Sequence, residues 1–411
     1  MFIFEKITMM QKHFALLALV FLAVCSFAQP RLEYAVRGEV RDARTGRPVA
    51  AANVSVPGRN YATVTNDDGV FVLKSDAPIK ELVFTHLGYR AMRQAVAGPE
   101  VDVRLVPEVY PLAEASIISG NPSEIVEAAV KSIPDNYASH PELLNVFYRE
   151  TLRKRQRYTY VSEAVARIYK TAYSNNSFVP DRTAIDKSRV IVSQRRRDTL
   201  SVKMAGGPNM ALSFDAVKNP NVIFNPIDFP LYSYQMDNPV YIGDRLHFVI
   251  HISPAEDADY PLYYGTLYID QQTLLFSRIE LVTDMSDPGE VTKMMLVKKP
   301  AGLRFTPKEL SFTMTYRPAE DGARLEYFCS SMRFSCDWKK KLVKTQYSVV
   351  NELVVTDIAT SAVPIHRSEA FRSADILSDK AGEFDDPDFW KDYNIIEPSE
   401  SLENAIDKLK K

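Results

Sequence analysis

Residues 264–280 read YGTLYIDQQTLLFSRIE, and this stretch decides what kind of fold the chain makes. Asp270 and Thr273 bracket a tight turn, and the residues on either side alternate in polarity with period two. That is the pattern of two antiparallel strands joined by a hairpin. Working outward, similar segments recur. Upstream they are Val146–Leu152, Tyr158–Tyr169, Val190–Val192 and Asp244–Ile252. Downstream they are Lys293–Lys298, Glu309–Tyr316, Arg324–Trp338 and Leu342–Thr356. Nine or ten strands with few helices predict a mainly β domain over residues 121–378, built as a large curved antiparallel sheet or an open β-barrel. One helix opens it: Asn121 as N-cap, Pro122 at N1, Glu124 at N3, and an apolar face of Ile125, Val126, Ala129, Val130 and Ile133. Residues 175–239, rich in Pro, Asn and Phe, predict a long irregular insertion over the sheet.

A second unit, residues 30–110, precedes this one. Its short alternating segments are Tyr34–Arg41, Ala52–Val56, Asn60–Thr65, Val70–Leu73, Leu82–Thr85 and Val101–Leu105, separated by turns such as Asp42–Gly46 and Asn66–Gly69. About seven strands at this spacing predict a small antiparallel β-sandwich. The run Gly38, Val40, Asp42, Thr45, Gly46, Pro48, Val49, Ala52, Val54, then Thr65, Asp67, Gly69, Phe71 and finally Gly88-Tyr89, resembles the carboxypeptidase regulatory-like domain. That is a transthyretin-like sandwich found at the N-terminus of exported Bacteroidetes proteins. The resemblance implies a non-catalytic folding or docking module. Residues 111–120, with Pro111 and Gly120, read as a linker.

The first 28 residues read as an address. Phe14–Phe27 is an apolar run after Lys12 and His13, and Ser26-Phe27-Ala28 places small residues at the cleavage positions of a secretory signal peptide. The run is shorter than the roughly 20 apolar residues of a spanning helix. Val24 before Cys25 argues against acylation of that cysteine. The mature chain is expected to be exported, in the periplasm or associated with the outer membrane. The composition is that of a globular protein: 46% hydrophobic, 25% charged, net charge −2. With 50 basic residues against 52 acidic ones, nothing favours a nucleic-acid partner. Twenty-one Tyr and 21 Phe against 15 Gly favour aromatic β-structure over glycine-rich loop enzymes.

Residues 379–411 form an acidic, aromatic tail. Phe389, Trp390 and Tyr393 are expected to pin it to the sheet. A helix follows Ser399, with Leu402, Ala405, Ile406 and Leu409 on one face. The ending resembles that of exported Bacteroidetes proteins in which the same sandwich is joined to a β-rich region.

No catalytic, cofactor or metal constellation emerges. His366 and Glu369 have zinc-carboxypeptidase spacing, but no His follows to complete the set. His247 and His251 lie on one strand, roughly 13 Å apart, too far to share an ion. Cys329 and Cys336 sit on one strand at roughly 23 Å, beyond disulfide reach and on opposite faces, so they read as small buried hydrophobes. Two basic clusters, Arg153-Lys154-Arg155 with Arg157 and Arg195-Arg196-Arg197, read as solvated strand edges or as a peripheral contact with membrane phosphates. A glycan hydrolase would need a carboxylate pair, and no pair stands out.

The motif Gly265-x-Leu267-Tyr268-Ile269-Asp270-x-x-Thr273, with Arg278, is similar to a hairpin in periplasmic lipoprotein carriers, half-barrels that hold acyl chains in their concavity. The expected function is therefore non-catalytic binding in the envelope, to a protein partner or to an apolar ligand. The carrier reading requires open space under the sheet. It fails if the 175–239 insertion and the tail fill that space.

Overall fold

The computed structural model describes residues 32–108, 120–174, 180–195, 198, 200, 202–338, 344–372, 375–377, 382–383 and 390–410. The signal segment with Cys25, Pro111 and most of the linker, Arg196, Arg197 and Phe389 lie outside the described residues.

Seven strands build the first unit: β1 Tyr34–Asp42, β2 Asn53–Ser55, β3 Ala62–Val64, β4 Val70–Ser75, β5 Glu81–Thr85, β6 Met92–Ala95 and β7 Glu100–Leu105. They form two sheets, β4-β1-β7 and β3-β2-β5-β6. Alternate residues point inward, so Val40, Phe71, Leu73, Leu82, Phe84 and Val103 close one core, with Phe71 and Phe84 edge to face at 5.5 Å. One pair departs from the expected antiparallel pattern: β1 and β7 run parallel. The motif residues have structural work. Asp42 accepts from the N–H groups of Arg44 and Thr45 and from the Tyr89 hydroxyl. The Thr45 N–H and Tyr89 bonds hold its carboxyl down at a pKa of about 2. Gly69 turns β3 into β4 at φ +77°, and a Cβ there would lie 2.4 Å from the Val40 carbonyl oxygen.

The second unit is one sheet of eleven strands in the order β12-β13-β14-β15-β17-β18-β19-β8-β9-β10-β20. These are β8 Glu142–Lys154, β9 Arg157–Lys170, β10 Arg182–Val192, β12 Tyr232–Ile242, β13 Arg245–Pro254, β14 Tyr263–Asp270, β15 Phe276–Thr283, β17 Leu303–Arg317, β18 Arg324–Trp338, β19 Thr345–Ile358 and β20 Gly382–Glu383. The remaining two, β11 Lys203–Met204 and β16 Leu296–Lys298, pair with each other. Neighbours in the large sheet are antiparallel except β10 and β20. Among the described residues no ladder joins β12 to β20, so the sheet does not close into a barrel. It is nevertheless bent. β9 and β17 stand four strand spacings apart, about 19 Å in a flat sheet. Yet Lys170 at the end of β9 and Tyr316 of β17 both reach the carboxylate of Asp215, each at 2.7 Å.

The inner face carries the main core. Val146, Tyr148, Ala164, Ile168, Phe312, Phe328 and Leu353 meet α1 (Pro122–Lys131) through Val126 and Ala129, and meet the insertion through Met210, Ala216, Ile223 and Phe224. The short helical turn α2 (Ile133–Asn136) follows α1 at once, with Pro134 in its first turn. Helix α3 is Asn209–Ser213 within the insertion. The irregular part of the insertion is shorter than expected, because β10 and the start of β12 belong to the sheet. Of β10 the expected Val190–Val192 is the end; the strand starts earlier, at Arg182, through charged residues that suit a position near the edge of the sheet.

Residues 293–298 are not a strand throughout. Helix α4, Pro288–Met295, is capped by Asp287, whose side chain accepts from the N–H groups of Gly289 and Glu290. Only Leu296–Lys298 is extended.

The outer face carries the sandwich and the tail. Val64 of the sandwich, Phe147, Val165, Tyr327 and Val354 of the sheet, and Trp390, Ile395 and Ile396 of the tail form one cluster. Trp390 lies edge-on to Phe147 at 5.7 Å. The tail therefore does pin itself to the sheet, but on the face opposite the concavity. It also ties down the sandwich. Asn394 accepts from the Lys74 N–H and donates to the Lys74 carbonyl oxygen, and Lys74 Nζ donates to the carbonyl oxygens of Trp390 and Tyr393. Helix α5 (Glu400–Lys410) packs Leu402, Ile406 and Leu409 on Val161 and Ile191.

Candidate functional site

A polar row crosses the inner face where an apolar one would be expected. Ser330 of β18 stands opposite Asn351 of β19, Asn351 opposite Glu150 of β8, and Glu150 opposite Ser162 of β9. On β8 the inward set is Val146, Tyr148, Glu150 and Leu152, while Phe147 packs outward. Period two thus delivers a carboxyl to the core side.

Hydrogen bonds link the members of this row. Asn351 Nδ2 donates to Ser330 Oγ at 2.9 Å, and Ser330 donates to Met210 Sδ at 3.1 Å. Asn351 Oδ1 is then the acceptor for the Tyr148 hydroxyl at 2.9 Å. The Tyr148 oxygen accepts the Gly207 N–H at 2.8 Å. The same hydroxyl lies 3.0 Å from Glu150 Oε2, so its single proton is shared between the carboxyl and Asn351. Burial pushes the Glu150 pKa up, against the opposing bonds from Tyr148 and Gly207. Among the described residues no cation pairs with it. Gly206 lies close beside it: a Cβ at that position would stand 2.8 Å from Glu150 Oε2, and the carboxyl would have to shift.

Above this row is a cavity of about 320 Å³ between the sheet and the insertion. Its apolar wall is Leu152, Tyr160, Leu200, Val202, Met204, Val349, Ile376 and Leu377, and Glu150, Thr159, Ser193, Asp198, Lys203 and Asp375 supply the polar groups. Asp198 is already engaged, by Arg157 and by the Ser193 hydroxyl. The insertion thus fills the concavity only in part.

Elsewhere it seals the concavity. Asp215 is fully buried and accepts from Lys170 Nζ and the Tyr316 hydroxyl, both at 2.7 Å, and from the Tyr173 hydroxyl at 3.4 Å. Burial disfavours the Lys170 ammonium, but the carboxylates of Asp215 and Asp181 outweigh it and raise its pKa. This node clamps the insertion to both arms of the sheet.

The motifs singled out in the sequence do not converge on the cavity. His247 is buried and bonds Ser277 Oγ at 2.7 Å, whereas His251 faces Asp237 and Thr266. His366 is exposed and bonds Ser368. Cys329 packs on the outer face, where burial pushes its thiol up to about 12, and Cys336 lies in the inner core. Both thiols are free. Arg153 and Arg157 belong to the β8–β9 hairpin tip rather than to a strand edge. Arg153 stacks over the Tyr158 ring at 4.1 Å. His140, Glu142 and Asp321 bring three potential ligand atoms within 4.8 Å of one another. The Arg324 guanidinium stands between the two carboxylates, at 2.8 Å from Glu142 and 2.7 Å from Asp321, where a cation would sit.

Solved structures resemble the chain remotely. A DUF1329 family protein of Desulfovibrio piger is 10% identical over 61% of this chain and all of its own, with a TM-score of 0.28. A LolA superfamily protein of Nitrosomonas europaea is 11% identical over 58% of this chain and 95% of its own, at 0.20. The Pseudomonas aeruginosa MucA/MucB complex aligns at 13% identity over 58% of this chain and 99% of its own, at 0.19. The LolA likeness matches the one carried by the 264–280 hairpin, and likenesses of this size carry no argument about function. Comparison with curated proteins yields no match. The specific match is to the sandwich: residues 36–109 fit the model of the CarboxypepD_reg-like domain, as the Gly38–Tyr89 motif implied.

Proposed function

We propose that the chain is a non-catalytic binding protein of the bacterial envelope whose large domain holds a small apolar ligand in the cavity above Glu150. The observation that carries this reading is the cavity itself. It is about 320 Å³, within the roughly 300–1,000 Å³ of small-molecule sites, with a mostly apolar wall and a few converging polar groups. The envelope setting is supported by the 14–27 apolar run and its Ser26-Phe27-Ala28 ending. The sandwich then serves as a rigid module on the opposite face of the sheet.

The test is a fluorescence titration of the whole mature chain with N-phenyl-1-naphthylamine, an uncharged apolar dye. Saturable 1:1 binding is expected. Leu200→Trp fills the cavity from a loop rather than from the sheet, and should weaken binding at least tenfold with unchanged circular dichroism. Absence of saturable binding, or indifference to that substitution, overturns the proposal.

A further inference from the structure

We propose that the cleft between the sandwich and the outer face of the large sheet binds a short peptide by both of its charged ends, the carboxylate on Arg278 and the ammonium on Glu326. This goes beyond the inner cavity, which lies on the other face of the sheet. The cleft encloses about 430 Å³, with Asn53, Ser55 and His86 of the sandwich on one side and Arg278, Arg317 and Glu326 of the sheet on the other. Junctions between domains are favoured places for ligand sites. A bulge aims Glu326. The β17–β18 register slips between Thr315 and Tyr316, so Leu325 and Phe328 both stay in the inner core while Glu326 and Tyr327 turn outward. Glu326 is 5% exposed, and among the described residues its carboxyl receives no hydrogen bond. The cation beside it, Arg317 Nε, stands 3.8 Å away, too far for one. Burial raises its pKa, and Arg317 offsets only part of that.

The positive end is built on the neighbouring strands. Arg278 of β15 stands opposite Thr315 of β17, and Thr315 opposite Tyr327 of β18, so Arg278 shares the outer face with Glu326. Arg278 gives its Nε to Glu280 at 2.7 Å. Among the described residues the two terminal nitrogens of its guanidinium donate to nothing. That fork is the geometry that holds a carboxylate by two parallel bonds. Two other cations of the cleft are committed, Arg245 to Asp270 and Arg93 to Glu81. Unmet bonding capacity thus exists for both signs, which a zwitterion fills and a simple anion or cation does not. β15 and β18 are two strand spacings apart, about 10 Å. That separation favours charges held apart by a peptide unit over those of a single amino acid. An ammonium arriving at Glu326 supplies the charge and the donors that the buried carboxyl lacks. Arg317 makes no hydrogen bond among the described residues, and its donors serve the peptide carbonyl oxygen.

The experiment is isothermal titration calorimetry of the whole chain with L-alanyl-L-alanine, its N-acetyl form and its C-terminal amide at millimolar concentration. The unblocked dipeptide is expected to bind 1:1, at least tenfold more tightly than either blocked form. Glu326→Gln should erase its advantage over the N-acetyl form, and Arg278→Met its advantage over the amide. The wild-type ranking alone decides the matter if a variant does not fold. The fluorescence of bound N-phenyl-1-naphthylamine should be indifferent to the dipeptide, because dye and peptide occupy opposite faces of the sheet. No binding of the unblocked dipeptide, equal binding of all three compounds, or displacement of the dye overturns this inference and leaves the reading of the inner cavity in place. Failure of the dye alone overturns that reading and leaves the peptide site standing.

Discussion

Replacing Asp215 by Ala should unfold the large domain far more easily, and the size of the effect follows from its surroundings. Asp215 is inaccessible and holds Lys170, which is 1% exposed. Without it the Lys170 ammonium keeps Asp181, at 3.8 Å, the Tyr173 ring, at 5.0 Å, and the more distant Glu142 carboxylate. Removing one partner of a buried ion pair costs about 3–5 kcal/mol, because the other charge stays buried without compensation. The Tyr316 hydroxyl also loses its acceptor, at about 1–3 kcal/mol for an unsatisfied buried donor. A loss of about 4 kcal/mol or more is expected, read from urea unfolding followed by far-ultraviolet circular dichroism. The double variant Lys170→Met, Asp215→Leu removes both charges and should be less destabilised than Asp215→Ala alone. A loss below about 1 kcal/mol in Asp215→Ala would refute the idea that this node clamps the insertion. So would a double variant weaker than the single one.

Further expectations concern other parts of the chain. Gly69→Val meets both a φ of +77° and the Val40 carbonyl oxygen; about 1–3 kcal/mol of strain should lower the melting transition of the sandwich, and an unchanged transition would contradict the turn geometry. Glu150→Gln should match the wild type in stability near pH 4 and exceed it increasingly as pH rises. The folded-state pKa of Glu150 lies above its ordinary value of 4.5, so its contribution is fully present below that value and is lost on the way up through the folded pKa. Parallel stability curves for the two proteins would exclude this. Trp390→Ala removes a side chain 7% exposed between the sandwich and Phe147. It should loosen the joint, seen as faster proteolytic cleavage between the two domains, and wild-type cleavage rates would argue that Lys74 and Asn394 suffice.

The hairpin at 264–280 was legible almost residue for residue, since β14 and β15 span Tyr263–Asp270 and Phe276–Thr283. The 324–338 strand was legible in full. Both place apolar side chains on alternate positions, and that is what a strand with two distinct faces must do. Helix α4 was misread because Met294, Met295, Leu296 and Val297 form an apolar run that fits either period. The deciding cue lay upstream, in Asp287-Pro288-Gly289-Glu290, a cap signature. Strand β6, Met-Arg-Gln-Ala, has no alternation to read. The site was the least visible part. Glu150 could have been noticed as a carboxyl in step with Val146, Tyr148 and Leu152. Its relation to Asn351 and Ser330 depends on β8 lying next to β19, a pairing across some 200 residues that local patterning does not encode. Asp215 has no periodic context at all, and its role comes wholly from the bend of the sheet.

The seam between sandwich and tail has a consequence for the order of assembly. Thr63, Asn66 and Lys74 find partners at Ile395, Pro398 and Asn394, more than 300 residues later. A chain emerging N-terminus first completes its sandwich early, as a self-contained core. Val64 and the edge beside it must then wait, facing water, while the eleven-stranded sheet is laid down. The seam therefore cannot form until residues 394–398 have been made. Contacts this distant in sequence form slowly, and the waiting apolar edge is the place where a helper or a neighbouring chain would first find purchase.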